Sequence, residues 1–208
     1  NMSPISPFIG NDLVNVLTGI RRSGKSVMLA LIQEELCASG VDSGQFISIN
    51  FENMSNAHLC TATALHDEII RRAAEIKGKV YLFFDEIQEV DSWEKCINSF
   101  RVELDCDIYI TGSNARLLSG ELATYLAGRY VEFVIYPFSF AEFLELYRTV
   151  YPNADIRQCF SKYLTVGGMP YLSNLRYDEA ASRQYLRDLF NSVELKDIVK
   201  RNNIRDVD

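Results

Sequence analysis

Apolar residues along the chain switch repeatedly between unbroken short runs and a four-residue spacing. Leu13-Val14-Asn15-Val16-Leu17 is a short, mostly apolar run that predicts a buried strand. Lys25 to Ser39 carries Met28, Ile32 and Leu36 four apart and is followed by Gly40, which predicts a helix that stops there. Gln45 to Phe51 predicts a second strand with Phe46, Ile47 and Ile49 inward, and Ala57 to Lys77 a helix with Leu65, Ile69 and Ala73 on one face, ended by Lys77-Gly78-Lys79. Val80-Tyr81-Leu82-Phe83-Phe84 is apolar throughout, as expected of a central parallel strand buried on both faces. Trp93, Ile97, Phe100 and Leu104 mark the next helix and Asp107 to Thr111 the next strand. Leu118, Leu122 and Leu126 predict a helix closed by Gly128-Arg129, and Tyr130 to Ile135 a fifth strand before Pro137. Alternation of this kind predicts an α/β fold: five parallel strands joined by right-handed crossovers, helices on both faces, and a ligand at the carboxyl ends of the strands.

Past Pro137 the pattern is helical only. Ser139-Phe140-Ala141-Glu142 fits a capping box, and Phe140, Phe143, Leu144 and Tyr147 form the stripe of the helix it opens. A second helix from about Asp155 to Val166 leads to Gly167-Gly168-Met169-Pro170, and a third starts near Asp178. The expected division is a core over residues 1–137 and a small helical region over 138–208.

The strand ends carry the chemistry. Gly19-Ile20-Arg21-Arg22-Ser23-Gly24-Lys25-Ser26 fits G-x-x-x-x-G-K-[ST] between a strand and a helix, the context that such a loop needs. Its glycines let successive N–H groups turn toward phosphate oxygens, Lys25 reaches the β- and γ-phosphates, and the Ser26 hydroxyl ligates Mg²⁺. The helix N-terminus beyond, from Lys25, Ser26 and Val27, favours anions through its dipole and free N–H groups. Asp85-Glu86 ends the apolar strand: a carboxylate there holds Mg²⁺ directly or through water, and its neighbour is placed to polarise a water for in-line attack on the γ-phosphate. A strand running into an acidic turn is the alternative. Asn114, just past the fourth strand, is placed to orient the attacking water or sense the γ-phosphate; the alternative, compatible with it, is that Ser113 or Asn114 caps the next helix.

Composition narrows the classes. The 208 residues are 48% hydrophobic and 24% charged, an ordinary globular balance that excludes disordered and collagen-like chains. A net charge of −7 gives no overall attraction to nucleic acid, although a local basic groove stays open. No apolar run reaches the ~20 residues of a membrane span, and no secretory leader is evident, so the expected location is cytoplasmic. Cys37, Cys60, Cys96, Cys106 and Cys159 form no C-x-x-C pair and read as buried free thiols. His58 and His66, eight apart, are too few for a metal site and read as part of a solvated helix. Asn1 ahead of Met2, and an end at Asp208 within a charged helix-like run, suggest a piece of a longer protein.

The order GIRRSGKS, YLFFDEIQ, YITGSNA, LAGRYVEF and PFSFAEF resembles the AAA+ superfamily, and more closely the prokaryotic AAA-14-type ATPases that usually carry a DUF4143 C-terminal region. The resemblance implies a P-loop NTPase sheet in the order 5-1-4-3-2 with a small helical lid, and ATP or ADP with Mg²⁺ as ligands. Gly19 to Ser26 then correspond to Walker A, Asp85 and Glu86 to Walker B, and Asn114 to sensor 1. Arg129, before strand five, stands where an arginine finger reaches a neighbour's nucleotide, which implies a homo-oligomer; the alternative is an arginine that pairs with an acid or caps its own helix. Asn50 resembles the residue that restrains the Walker B glutamate, or makes only a strand-end hydrogen bond. Gly168-Met169-Pro170 resembles a G-x-P element that brings Pro170 against adenine, or is a plain helix-breaking turn. Arg157, Arg176 and Arg183 are the candidates for a sensor 2 arginine, with none singled out. A winged-helix and DUF4143 region beyond this chain would carry an unknown protein or nucleic-acid partner.

Three functions fit these residues. The first is an ATP-hydrolysing AAA+ enzyme, the second a nucleotide-gated switch with little turnover, and the third a P-loop kinase for a small substrate, which the Asp85-Glu86 pair disfavours.

Overall fold

The computed structural model describes residues 5–112 and 126–202. They form two compact units, the first holding the chain up to Gly19 together with Lys25–Ile135, the second holding Ile20–Gly24 and the chain from Tyr136 onward.

In the first unit the elements are β1 (Val14–Thr18), α1 (Lys25–Ala38), β2 (Phe46–Asn50), α2 (Ala62–Ala73), β3 (Val80–Asp85), α3 (Trp93–Glu103), β4 (Cys106–Thr111) and β5 (Tyr130–Val134). The strands form one sheet in the order β2-β3-β4-β1-β5, with every neighbouring pair parallel. This is the expected order read from the opposite edge. Because side chains alternate across a strand, each central strand feeds two cores. On one face Val16, Ile49, Leu82, Phe84, Ile108 and Ile110 pack with Leu65 and Ile69 of α2 and Trp93, Ile97 and Phe100 of α3. On the other, Leu17, Tyr81, Phe83 and Tyr109 pack with Met28, Ile32 and Leu36 of α1. All six residues of β3 are buried, as its unbroken apolar run requires.

Several expected details shift. Phe46 does not share a face with Ile47 and Ile49; it lies half-buried on the opposite face, its ring 5.7 Å from that of Tyr81 and 5.4 Å from that of Phe83. Strand alternation forbids the shared face. The helix expected from Ala57 to Lys77 is shorter, because Met54–Leu59 form a separate 3₁₀ turn and the Thr61 side chain accepts the Ala64 N–H to start α2 afresh. Leu104 lies just past α3 in extended conformation, and Ser113, Asn114, Leu118 and Leu122 lie outside the described residues.

The second unit contains α4 (Phe140–Val150), α5 (Ile156–Val166), a 3₁₀ turn at Pro170–Ser173 and α6 (Glu179–Asn202). Ser139 and Glu142 form the anticipated capping box, each satisfying the other's backbone N–H. Phe143, Val166, Met169, Leu172 and Tyr177 make the core, with rings of Phe140, Tyr147 and Tyr163 around it. Gly168 closes the unit: its carbonyl accepts the Phe138 N–H at 2.8 Å, and a Cβ there would meet the Phe138 carbonyl oxygen at 2.1 Å. No described helix is long and apolar enough to cross a membrane.

Candidate functional site

The phosphate-loop sequence follows β1 directly and runs into α1, whose first residue is Lys25. Three of its residues have positive φ, Gly19 at 147°, Arg22 at 67° and Gly24 at 104°. At Gly24 open space would admit a side chain, but that backbone conformation would not, so glycine is required by conformation alone. Within the loop Ile20 and Arg22 are exposed, Arg21 is half-buried, and Ser23 is buried with its N–H donated to the Ile20 carbonyl at 3.2 Å. Ser26 and Val27 are exposed on the first turn of α1.

Lys25 is buried although cationic. Its ammonium donates to the Gly19 carbonyl at 3.3 Å and stands 3.9 Å from a Glu86 carboxylate oxygen. Parallel pairing sets this geometry, since β1 and β3 flank β4 and end at the same edge of the sheet.

Asp85, the last residue of β3, is 6% exposed, and protein donors hold both its carboxylate oxygens. The Thr111 hydroxyl donates to Oδ1, and the Asn50 amide donates to Oδ2 at 3.0 Å. Asn50 therefore makes a strand-end hydrogen bond, the second of its two expected roles, and makes it to Asp85. The register pairs Asn50 with Asp85, whereas Glu86 has already left the sheet in the left-handed region at φ 56°. Glu86 is held otherwise, its N–H donating to the Thr111 hydroxyl at 3.0 Å and its carboxylate accepting from the Gln88 amide. Thr111 is the site residue that sequence reasoning missed. The available signal was its place at the end of a strand adjacent to β3.

The other sequence candidates lie elsewhere or outside the described residues. Asn114 belongs to the latter. Arg129 immediately precedes β5, and its carbonyl accepts the Val14 N–H at 3.0 Å, so it sits at the amino edge of the sheet, opposite the acidic pair. Its side chain is exposed and donates to Asn98 at 3.4 Å. Pro170 opens the 3₁₀ turn of the second unit, a position its fixed φ suits. Of the three sensor 2 candidates, Arg183 pairs with Glu179 one helical turn earlier and Arg176 adopts φ 50°. The two histidines do not share a helix: His58 is exposed on a 3₁₀ turn, whereas His66 on α2 stacks on Phe100 and bonds Glu103 at 2.9 Å. The cysteines are unpaired but not uniformly buried, Cys37 being exposed. Burial pushes the Cys96 and Cys106 thiols up to about 12, which keeps them protonated at neutral pH.

Among the described residues no three His, Cys, Asp or Glu side chains converge as a metal cage. The oxygen donors that the sequence offers for a cation are the Asp85 carboxylate at the end of β3 and the Ser26 hydroxyl on the first turn of α1. That set fits Mg²⁺, which keeps most of its waters and is shared with substrate phosphates rather than wrapped by protein.

Comparison with known proteins agrees with this fold. The chain is 39% identical over 199 residues to an uncharacterized protein of Haemophilus influenzae, covering 96% of this chain and 49% of that protein. It is 32% identical over 202 residues to an uncharacterized protein of Methanocaldococcus jannaschii, covering 93% and 44%. The chain thus spans about half the length of these curated relatives. In fold it is similar to the Holliday junction branch migration motor RuvB of Thermotoga maritima, with a TM-score of 0.55 at 14% identity, covering 99% of this chain and 66% of that one. AMPPCP-bound DnaA of Aquifex aeolicus gives a TM-score of 0.54 at 14% identity, covering 93% and 61%. The family model described as an AAA domain, AAA_14, matches residues 11–144, most of the chain, and by that match the chain belongs to the AAA_14 family of AAA+ P-loop ATPases.

Proposed function

We propose that this chain binds Mg²⁺·ATP at the loop from Gly19 to Ser26 and hydrolyses it to ADP and phosphate. The observation that carries the proposal is the convergence of Lys25 and Glu86 beside the clamped Asp85, at the carboxyl edge of one parallel sheet. Lys25 binds the β- and γ-phosphates, and N–H groups between Gly19 and Val27, other than that of Ser23, receive the remaining phosphate oxygens. Ser26 and Asp85 would hold Mg²⁺, which when bound neutralises charge on the phosphates. Glu86 accepts a proton from water as the water oxygen forms its bond to the γ-phosphorus. The bond from that phosphorus to the bridging oxygen breaks, its electron pair leaves with ADP, and Glu86 returns the proton to solvent with the phosphate.

In this reading residues 1–137 are the catalytic core, residues 138–208 act as a helical lid with Pro170 toward adenine, and Asn114 orients the attacking water. Arg129 would serve a neighbouring copy's nucleotide, and an unknown protein or nucleic acid would be engaged by the region that the longer relatives add. The setting is cytoplasmic.

The test pairs two variants of the full-length protein. Lys25→Ala should abolish ATP binding by calorimetry, while Glu86→Gln should bind Mg²⁺·ATP and lose ~10²–10⁴ in hydrolysis, as expected when a general base is removed. Unchanged affinity in the first variant, or wild-type turnover in the second, refutes the assignment.

A further inference from the structure

We infer that Thr111 is a positioning residue for this hydrolysis: its single hydroxyl sets the orientation of both members of the acidic pair. The inference rests on the ATPase reading and adds to it a residue outside both motifs.

A threonine hydroxyl carries one proton and two acceptor lone pairs. In Thr111 the proton goes to Asp85 Oδ1, and an acceptor position takes the Glu86 N–H at 3.0 Å. The proton and one of the two lone pairs are therefore engaged, and the residue itself is 0% exposed. Its backbone is anchored on the β1 side of the sheet, where Thr111 is in register with Leu17 and the following Gly112 N–H donates to the Leu17 carbonyl at 3.3 Å.

Glu86 needs such an anchor. A non-glycine residue at φ 56° is strained, and it persists only where its surroundings determine it. The Glu86 N–H is the group that the turn removes from the β-ladder, and Thr111 receives it. Asp85 is held from the other side by Asn50, so removing the Thr111 hydroxyl releases one oxygen of Asp85 and the Glu86 N–H, while the Glu86 carbonyl still accepts the Glu89 N–H at 3.1 Å. Asn50 therefore positions the metal-binding carboxylate alone, whereas Thr111 positions it together with the base.

The test compares Thr111→Val, which keeps shape and loses the hydroxyl, with Thr111→Ser, which keeps the hydroxyl, both in the full chain. Valine should lower kcat by about 10–100-fold and weaken Mn²⁺ binding to the ATP complex by about tenfold, the scale of losing an outer-shell hydrogen bond. Affinity for ATP without metal should stay within about threefold of wild type, because Lys25 and its loop are untouched. Serine should restore kcat and Mn²⁺ affinity to within about threefold. Hydrogen exchange at the Glu86 amide, followed by NMR without nucleotide, should accelerate in the valine variant and not in the serine variant. If valine keeps wild-type kcat and Mn²⁺ affinity, or if serine is as impaired as valine, Thr111 does not position the pair. A valine variant whose Glu86 amide alone is affected overturns the inference equally, leaving a structural hydrogen bond. A wild-type chain that binds no ATP refutes the ATPase reading instead, and is recognised by its failure in the reference measurement.

Discussion

Gly168→Ala tests whether the G-x-P segment is first a packing device. The new Cβ would lie 2.1 Å from the Phe138 carbonyl oxygen, 3.0 Å from its carbon and 3.1 Å from the Phe138 nitrogen. Carbon and oxygen settle at about 3.3–3.6 Å even in their closest favourable contacts, so two backbone segments must part by more than about 1 Å. Forced separation of packed groups costs about 1–3 kcal/mol. The Phe138 N–H to Gly168 carbonyl bond at 2.8 Å and the Tyr163 hydroxyl to Phe138 carbonyl bond at 3.1 Å span the same contact, and each contributes about 0.5–1.5 kcal/mol. Alanine's smaller unfolded-state entropy returns about 0.4–1 kcal/mol, leaving a net loss of about 3 kcal/mol. Amide exchange resolves the effect by unit: protection across α4 and α5 should fall by roughly two orders of magnitude, at about 1.4 kcal/mol per tenfold. Trp93, the only tryptophan, is buried in the first unit, and its fluorescence should not change. Protection in α4 and α5 within about threefold of wild type would refute the packing argument. Were Gly168 needed only for nucleotide, the alanine variant would keep its protection and lose ATP affinity alone.

Two further outcomes are expected. Arg129→Ala should leave ATP affinity unchanged, because the residue lies at the sheet edge opposite Lys25; in an assembled full-length protein, mixing it with Glu86→Gln should restore turnover that neither has alone, and inactive mixtures despite co-assembly would exclude action in trans. For His66, the hydrogen bond to Glu103 raises its pKa above the ordinary value, so its contribution to folding is complete below the unfolded pKa of about 6.5 and is lost as pH rises through the folded one. Glu103, lowered by Ser99 and then by His66, gives the opposite slope, lost as pH falls through its folded pKa. A two-dimensional NMR titration of His66 should therefore show an elevated midpoint that Glu103→Gln reduces; an unchanged midpoint in that variant refutes the link.

What the sequence made legible follows from which interactions are local. Burial of β3 on both faces needed only its unbroken apolar run, and the loop from Gly19 to Ser26 needed only spacing, because its strand, turn and helix are contiguous. The capping box at Ser139 and Glu142 is likewise complete within four residues. By contrast, the start of α2 depended on whether Thr61 would use its hydroxyl as a cap, a choice that helical spacing of Leu65, Ile69 and Ala73 does not contain.

The acidic pair shows the same division within two residues. Asp85 and Glu86 were visible as a pair because they are adjacent in sequence, but their supports are not. Asn50 comes from β2 and Thr111 from β4, and which of the two carboxylates each meets depends on parallel register: Asn50 pairs with Asp85, and Phe84 with Ile110, so Thr111 falls beside the end of β3. A β-branched residue ending a strand looks like an ordinary strand former, and nothing in YIT tells that its hydroxyl will be divided between a carboxylate and a backbone N–H. The left-handed turn at Glu86 adds a second non-local step, since it takes Glu86 out of the strand register and leaves Asp85 as the partner of Asn50. Residues of the proposed phosphate loop are thus fixed by contiguous motif, while residues that hold the acidic pair are fixed by strand order. Substitutions at Asn50 and Thr111 should accordingly alter turnover and metal affinity while leaving metal-free nucleotide binding to the loop.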